Sequence, residues 1–324
     1  MSAARERRQE RIPGVDKPLS RVVLGTMVVD IRQKERSFAL LDAAFNAGIN
    51  TLDTAHVYAG GNSERGIGAW CTERGLREKL VILTKGCVPN ADRKRITAHD
   101  LTSDLYDSLA RLQTNYVDLY LFHRDDPAVP IGTIVNFINE HIAAGRIRAW
   151  GGSNWTRARL AAAIAYAKHH GAVPPVASSP HYGLATQVKS PWGPGCVTLT
   201  GDNRAADRAW YTETQLATFA YSSLARGLFS GRTTRDNYLT TTDDACQRAY
   251  CHPVNFERLH RAHLMAKKRG VTVTQVALAF VLNSPMNTFA LVGAENATEI
   301  DACVAAQHIQ FSNKDLRWLE TGRR

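Results

Sequence analysis

The sequence predicts an α/β protein folded as a single-domain (β/α)8 TIM barrel, and three observations predict it. Apolar runs of strand length alternate with amphipathic runs of helix length along all 324 residues. Eight strand candidates can be counted, with helical segments between them. The strand candidates are almost continuously apolar, the mark of strands buried on both faces. Parallel strands need crossover connections, which the intervening helices supply, and closure suits both the count and the length. A doubly wound open sheet satisfies the same alternation and stays open on these grounds alone.

The elements follow in order. A strand at 21–24 opens the series; a helical run at 36–47 ends at Gly48, where a left-handed cap is wanted. The strand at 49–53 precedes a helix at 64–73 that stops at Gly75, and the strand at 80–85 follows. Thr97 and Asp100 resemble a capping box, with Asp in the Glu position, at the head of a helix at 98–112. Then come a strand at 116–123, a helix at 131–144 closed by Gly145, a strand at 146–151, a helix at 157–170 closed by Gly171, and a strand at 173–178. Residues 183–209 break the rhythm as a long loop punctuated by Gly and Pro, a length that is usually functional or disordered. On a barrel this loop leaves the carboxyl face, beside the active site. A helix at 210–215, a strand at 218–222, helices at 256–268 (closed by Gly270) and 273–283, and a strand at 288–292 complete the set.

Composition excludes several classes. Hydrophobic residues make up 44%, enough for a core, and no apolar stretch reaches the ~18 residues of a membrane span. The start carries Arg5, Arg7, Arg8 and Arg11 without an apolar segment, so it does not read as a secretory signal, and Glu6 and Glu10 argue against an import peptide. Residues 1–18 read as a basic, flexible tail ahead of a barrel at 19–324. The net charge of +10 is spread over separate clusters, Arg93-Lys94-Arg95 and Lys267-Lys268-Arg269 among them, with no interleaved aromatics. That pattern excludes a nucleic-acid groove and suits steering of an anionic small molecule. Cysteines 71, 87, 196, 246, 251 and 303 lack CxxC spacing and read as reduced thiols of a cytoplasmic protein; Cys251-His252 has no second pair, so no metal site is expected.

Asp53, Tyr58, Lys85 and His123 stand at or just past the ends of three successive strands. Singly, each has an ordinary structural explanation. Together they place an acid, a phenol, an amine and an imidazole at one mouth of a parallel barrel. A free tyrosine has a pKa of about 10, and an ammonium within ~4–6 Å moves such a value down by ~1–3 units. Asp53 would hold Lys85 charged, and a neutral His123 would position a carbonyl oxygen near the phenol. This is general-acid chemistry at an oxygen that gains negative charge. The Gly60-Gly61-Asn62-Ser63-Glu64 segment has neither GxGxxG nor P-loop spacing, which leaves the open-sheet alternative little support.

This constellation resembles the aldo-keto reductase superfamily. The matching stretches are Leu24-Gly25-Thr26, Asn50 through Tyr58, Asn62-Ser63-Glu64, Leu83-Thr84-Lys85, Val117 through His123, Gly152-Ser153-Asn154-Trp155, Tyr221 through Gly227, and Leu291 through Ala294. The resemblance implies a barrel oxidoreductase that reduces an aldehyde or ketone with an extended NADP(H) or NAD(H). It makes Tyr58 the proton donor, Asp53 and Lys85 its tuners, and His123 the group that orients the carbonyl. It implies cofactor contacts from Gly25, Thr26, Met27, Asp53, Ser153, Asn154, Ser179, Tyr221, Ser222, Leu224, Gly227, Arg232, Gly293, Ala294, Glu295 and Glu299, and substrate contacts from Tyr58, His123, Trp155 and Trp192.

Three departures qualify it. Ser178-Ser179 stand where many members carry Asn-Gln, and a hydroxyl lacks the paired groups of an amide. Glu295 and Glu299 occupy a segment where NADPH-selective members often carry a cation. Family habit and Arg232 favour NADP(H); the two glutamates pull toward NAD(H), and the balance leans to NADP(H). Finally, Arg124-Asp125-Asp126-Pro127 follows His123, and with Trp155 and Trp192 this charged turn suggests a sugar-like keto compound. The alternatives are an NAD-dependent sugar or alcohol dehydrogenase working toward oxidation, and a cofactor-binding regulatory subunit like the potassium-channel β subunits of the same superfamily. The sequence does not set the oligomeric state.

Overall fold

The computed structural model of the protein describes residues 9–323. A short antiparallel pair, β1 (Gln9–Glu10) and β2 (Leu19–Ser20), precedes the barrel. Eight parallel strands then close on themselves: β3 (Val22–Gly25), β4 (Thr51–Asp53), β5 (Val81–Gly86), β6 (Val117–Phe122), β7 (Ile147–Ser153), β8 (Ala177–Ser179), β9 (Ala217–Ala220) and β10 (Thr288–Val292), with β10 returning to β3. Closure removes the open-sheet alternative. Helices α1 (Lys34–Asn46), α2 (Asn62–Arg74), α3 (Ala98–Leu112), α4 (Ile131–Ala143) and α5 (Arg157–His170) follow β3 to β7 in turn. After β8 comes α6 (Ala205–Thr214). Between β9 and β10 lie α7 (Tyr238–Thr241), α8 (Asp244–Tyr250), α9 (Pro253–Arg269) and α10 (Val273–Leu282); α11 (Ala297–Ala305) and α12 (Asn313–Thr321) end the fold.

The strands sort their side chains by parity, since successive residues point to opposite faces. Val81, Leu83, Leu119 and Leu121 join the cluster inside the barrel, while Ile82, Tyr120 and Phe122 pack outward against the helices. Continuing the inward phase past Leu83 and Leu121 brings Lys85 and His123 to the carboxyl mouth. In register, Gly25 pairs with Asp53, Asp53 with Leu83, and Lys85 with Leu121. The tetrad residues on strands therefore face one another across the rim.

Several sequence expectations need correction. The flexible tail is expected to reach residue 18, but residues 9–18 are ordered, pairing β1 with β2 and packing Ile12 and Val15 against the barrel interior; residues 1–8 lie outside the described residues. Ile12, Val15 and Leu19 are buried and fill the amino end together with Phe219 and Phe289. Lys17 locks this plug by pairing with the buried Asp118 at 2.6 Å and donating to Leu80 O at 2.7 Å. The expected 183–209 loop ends early, because α6 starts at Ala205, and β8 is a shorter strand than the expected 173–178. Helices α7, α8, α11 and α12 went unpredicted. No helix among the described residues is long and apolar enough to cross a membrane.

Candidate active site

Lys85 sits at the centre of the carboxyl mouth. Its ammonium pairs with Asp53 Oδ1 at 2.8 Å and donates to Thr54 O at 2.8 Å and to the Tyr58 hydroxyl at 3.3 Å. The His123 ring meets the Tyr58 ring edge-on, with centroids 5.9 Å apart. The structure thus brings all four residues together.

Tyr58 comes from a loop and has to be held there. The chain turns through left-handed Ala59, Gly60 and Gly61 (φ 49°, 62° and 87°) before α2 begins. The buried Glu64, at the head of that helix, accepts from Thr84 Oγ1 at 2.7 Å and pairs with Arg111 at 3.3 Å; Arg111 also donates to His56 O at 2.9 Å. Glu64 and Arg111 therefore clamp both sides of the Tyr58 turn. Sequence reasoning missed this role, although Glu64 falls within one of the motifs that carry the resemblance.

Burial dominates the electrostatics. It raises the Asp53 carboxyl despite the opposing pull of Lys85. Burial alone would lower Lys85, but Asp53 and Tyr58 outweigh it and the ammonium is held. The Tyr58 phenol departs from the sequence expectation: burial raises its pKa, and Lys85 offsets only part of that rise. Burial, then Lys85 and Arg124, keep His123 well below the usual imidazole range, hence neutral. Its Nδ1 is buried and has no hydrogen-bond partner among the described residues.

A cleft of about 1640 Å³ runs from these groups across the barrel mouth to α9 and α11. Gly25, Met27, Asp53, Ser153, Asn154, Ser179 and Tyr221 line the half nearest the tetrad. Ser222, Leu224, Gly227, Arg232, Gly293, Ala294, Glu295 and Glu299 line it as well. Thr26 does not reach the cleft; it is fully buried and donates to Asp53 O at 3.0 Å. Asn154, at a left-handed φ of 60°, accepts from Tyr221 OH at 2.9 Å and from Val197 N at 3.0 Å, while Ser153 Oγ donates to Ser179 O at 3.1 Å. Ser179 Oγ in turn donates to Phe219 O at 2.9 Å.

Trp192 lines the cleft under the Arg226 guanidinium (4.2 Å to the ring centroid), and Arg226 is tied to Asp243. These three side chains form one connected run on its wall. Trp155, expected against substrate, is a packing residue. It is fully buried and stacked on Phe122, because the left-handed Asn154 turns the chain back onto the outer wall. Asp125 and Asp126 also leave the cleft, paired with Arg159 at 3.1 Å and Lys94 at 2.9 Å. The sugar-like reading therefore loses two of its supports. Beyond the expected residues, His263 and Lys267 from α9 also line the cleft. Their signal, a basic helix C-terminus, is common to many surface helices.

The cleft suits an extended dinucleotide. Among the described residues the backbone N–H groups of Ser222, Ser223 and Leu224 have no protein acceptor, and the loop carries left-handed Ser222, Ala225 and Arg226 (φ 53°, 50° and 52°). Successive amides without a protein acceptor, in a loop of left-handed turns, suit a pyrophosphate.

The family model described as the Aldo/keto reductase family matches residues 21–321. Among curated proteins, the chain is 28% identical to the aldo-keto reductase YhdN of Bacillus subtilis, covering 93% of this chain and 89% of that protein. It is 26% identical to the protein tas of Escherichia coli over 96% of each, and 28% identical to a putative voltage-gated potassium channel subunit beta of Schizosaccharomyces pombe over 85% of this chain and 79% of that one. The solved glycerol dehydrogenase AKR11B4 of Gluconobacter oxydans has the same fold, with a TM-score of 0.78 at 24% identity over 96% of this chain and 93% of that one.

Proposed function

Since the chain belongs to the aldo/keto reductase family, whose members are NAD(P)-dependent oxidoreductases, we propose that it reduces a small aldehyde or ketone to the alcohol with Tyr58 as general acid. The observation that carries this reading is the chain of contacts Asp53–Lys85–Tyr58 opening on the neutral His123. When bound, the dinucleotide supplies the hydride. The protein's part is to manage the oxygen. His123 offers an N–H to the carbonyl oxygen and Tyr58 gives its proton to that oxygen as it becomes an alkoxide. Lys85, held by Asp53, stabilises the phenolate left behind. Burial raises the Tyr58 phenol above its ordinary value, so it carries the proton that reduction of the carbonyl requires.

Ser222 to Leu224 would receive the pyrophosphate, Tyr221 would stack on the nicotinamide, and Ser153 and Asn154 would contact its carboxamide. For the 2′-phosphate we assign NADP(H): Arg232 and Lys267 face the cleft without an ion pair among the described residues, while Glu299 is engaged with Glu295 N at 2.9 Å.

The test is Tyr58→Phe. Its kcat should fall roughly 10²- to 10⁴-fold, the usual worth of a positioned acid, while NADPH still binds. Turnover close to that of the wild type would overturn the assignment. A wild-type protein that binds NADPH but reduces nothing in a broad carbonyl panel would favour the regulatory-subunit reading.

A further inference from the structure

Arg124 lines the same cavity directly beside His123, and its charge is unused by anything described so far. Nη1 donates to His123 O at 2.9 Å; Nη2 lies 3.4 Å from Trp192 O and 3.5 Å from Cys196 Sγ. All three acceptors are neutral atoms. The carboxylates that follow it in sequence face away, paired with Arg159 and Lys94. The other carboxylates on this half of the wall, Asp53 and Asp243, are bound by Lys85 and Arg226. Arg124 carries no ion pair among the described residues.

A partly buried cation without a counter-charge is costly to keep. Stapling the 192–196 loop to the barrel does not account for it, because a neutral amide donor would serve two carbonyls equally well. The surroundings add to the imbalance. With the tetrad's own charges cancelled between Asp53 and Lys85, and with His123 and Tyr58 neutral, the substrate end carries a net positive charge at Arg124. The guanidinium is also fixed in place, one Nη held by its own chain and the other by the loop, at the wall of the cavity. A guanidinium fixed beside a cavity is suited to paired anionic oxygens, which it meets with charge-assisted hydrogen bonds.

Resting on the reading of this cavity as a site of carbonyl reduction, we infer that the substrate carries an anionic group, a carboxylate or phosphate ester, which Arg124 receives while the carbonyl lies between Tyr58 and His123. Arg124 is on this account a specificity-determining residue. It contributes to binding and orientation, and the proton transfer stays with Tyr58.

The experiment compares matched pairs of carbonyl compounds: para-formylbenzoate against its methyl ester, and glyceraldehyde phosphate against glyceraldehyde. The wild type should prefer the anionic member of at least one pair by about tenfold or more in kcat/KM, mostly through KM. Preference within one pair but not the other tells carboxylate from phosphate. In Arg124→Gln that ratio should collapse toward one, and Arg124→Lys should restore part of it, which separates lost charge from a disturbed loop. Equal use of both members of both pairs by the wild type, or a ratio unchanged in Arg124→Gln, overturns the inference. Calorimetry with benzoate and benzamide, and with inorganic phosphate, tests it without turnover. Either anion should bind the wild type more tightly than benzamide and lose that advantage in Arg124→Gln; if neither does, the inference fails. Anion binding without any carbonyl reduction would instead count against the proposed reaction alone.

Discussion

Lys85 was legible from the sequence for a simple reason. A lysine rarely ends an apolar strand unless something pairs with it, and strand parity then fixes the direction in which it points. Trp155 was not legible, because one left-handed residue before it, Asn154, reverses the direction the motif suggests, and sequence does not show a backbone angle. The Tyr58 phenol shows a second limit: the attraction of Lys85 could be foreseen, but the burial that outweighs it depends on the assembled mouth. Glu299 offers a residue-scale test of the cofactor assignment. Its carboxylate now caps Glu295 N, and Glu299→Arg replaces it with a third cation near Arg232 and Lys267. The ratio of dissociation constants for NADPH and NADH should fall about tenfold or more in favour of NADPH, since a charge-assisted contact is worth ~1.5–3 kcal/mol. An unchanged ratio would place the 2′ position elsewhere.

At the scale of elements, the strands and the five helices that follow β3 to β7 could be read from periodicity and glycine stops. Gly171 and Gly270 do take left-handed angles, at φ 66° and 67°. The C-terminal helices were missed although α12 has a capping box between Ser312 and Asp315; nine residues give too few turns for periodicity to register. Packing between α2 and α3 also hides in the sequence. A Cβ built on Gly68 would stand 2.3 Å from Arg111 O and 2.7 Å from Leu112 C, backbone atoms that cannot turn aside. Gly68→Ala should therefore destabilise the fold by ~1–3 kcal/mol or more. It should also cost activity, because Arg111 and Glu64 clamp the Tyr58 turn. Denaturant midpoints and kcat for this variant check both; a wild-type midpoint would mean that the two helices separate without penalty.

For the whole molecule, the barrel could be predicted from the alternation of segments, whereas its plug could not: residues 9–18 read as a polar tail because only Ile12 and Val15 carry the apolar signal. The closed interior has a consequence for acid stability. Burial lowers His181 to about 3 and His123 well below its usual value. In the unfolded chain both take protons below about pH 6.5; in the folded protein His181 does so only near pH 3. The unfolded state thus binds more protons in between, and stability is lost as pH falls through that window, by roughly 1.4 kcal/mol per pH unit for each such imidazole. Urea unfolding between pH 7 and 4 should show a decline that is shallower by one proton in His181→Gln. Equal slopes would mean that His181 is charged in the folded state. The plug also sets an order of assembly. Lys17 rests against Tyr116, 99 residues further along the chain, so during synthesis the stopper leaves the ribosome long before the bottle has walls. Fitted last although made early, it would make the sealing of the barrel floor a late event on the folding path.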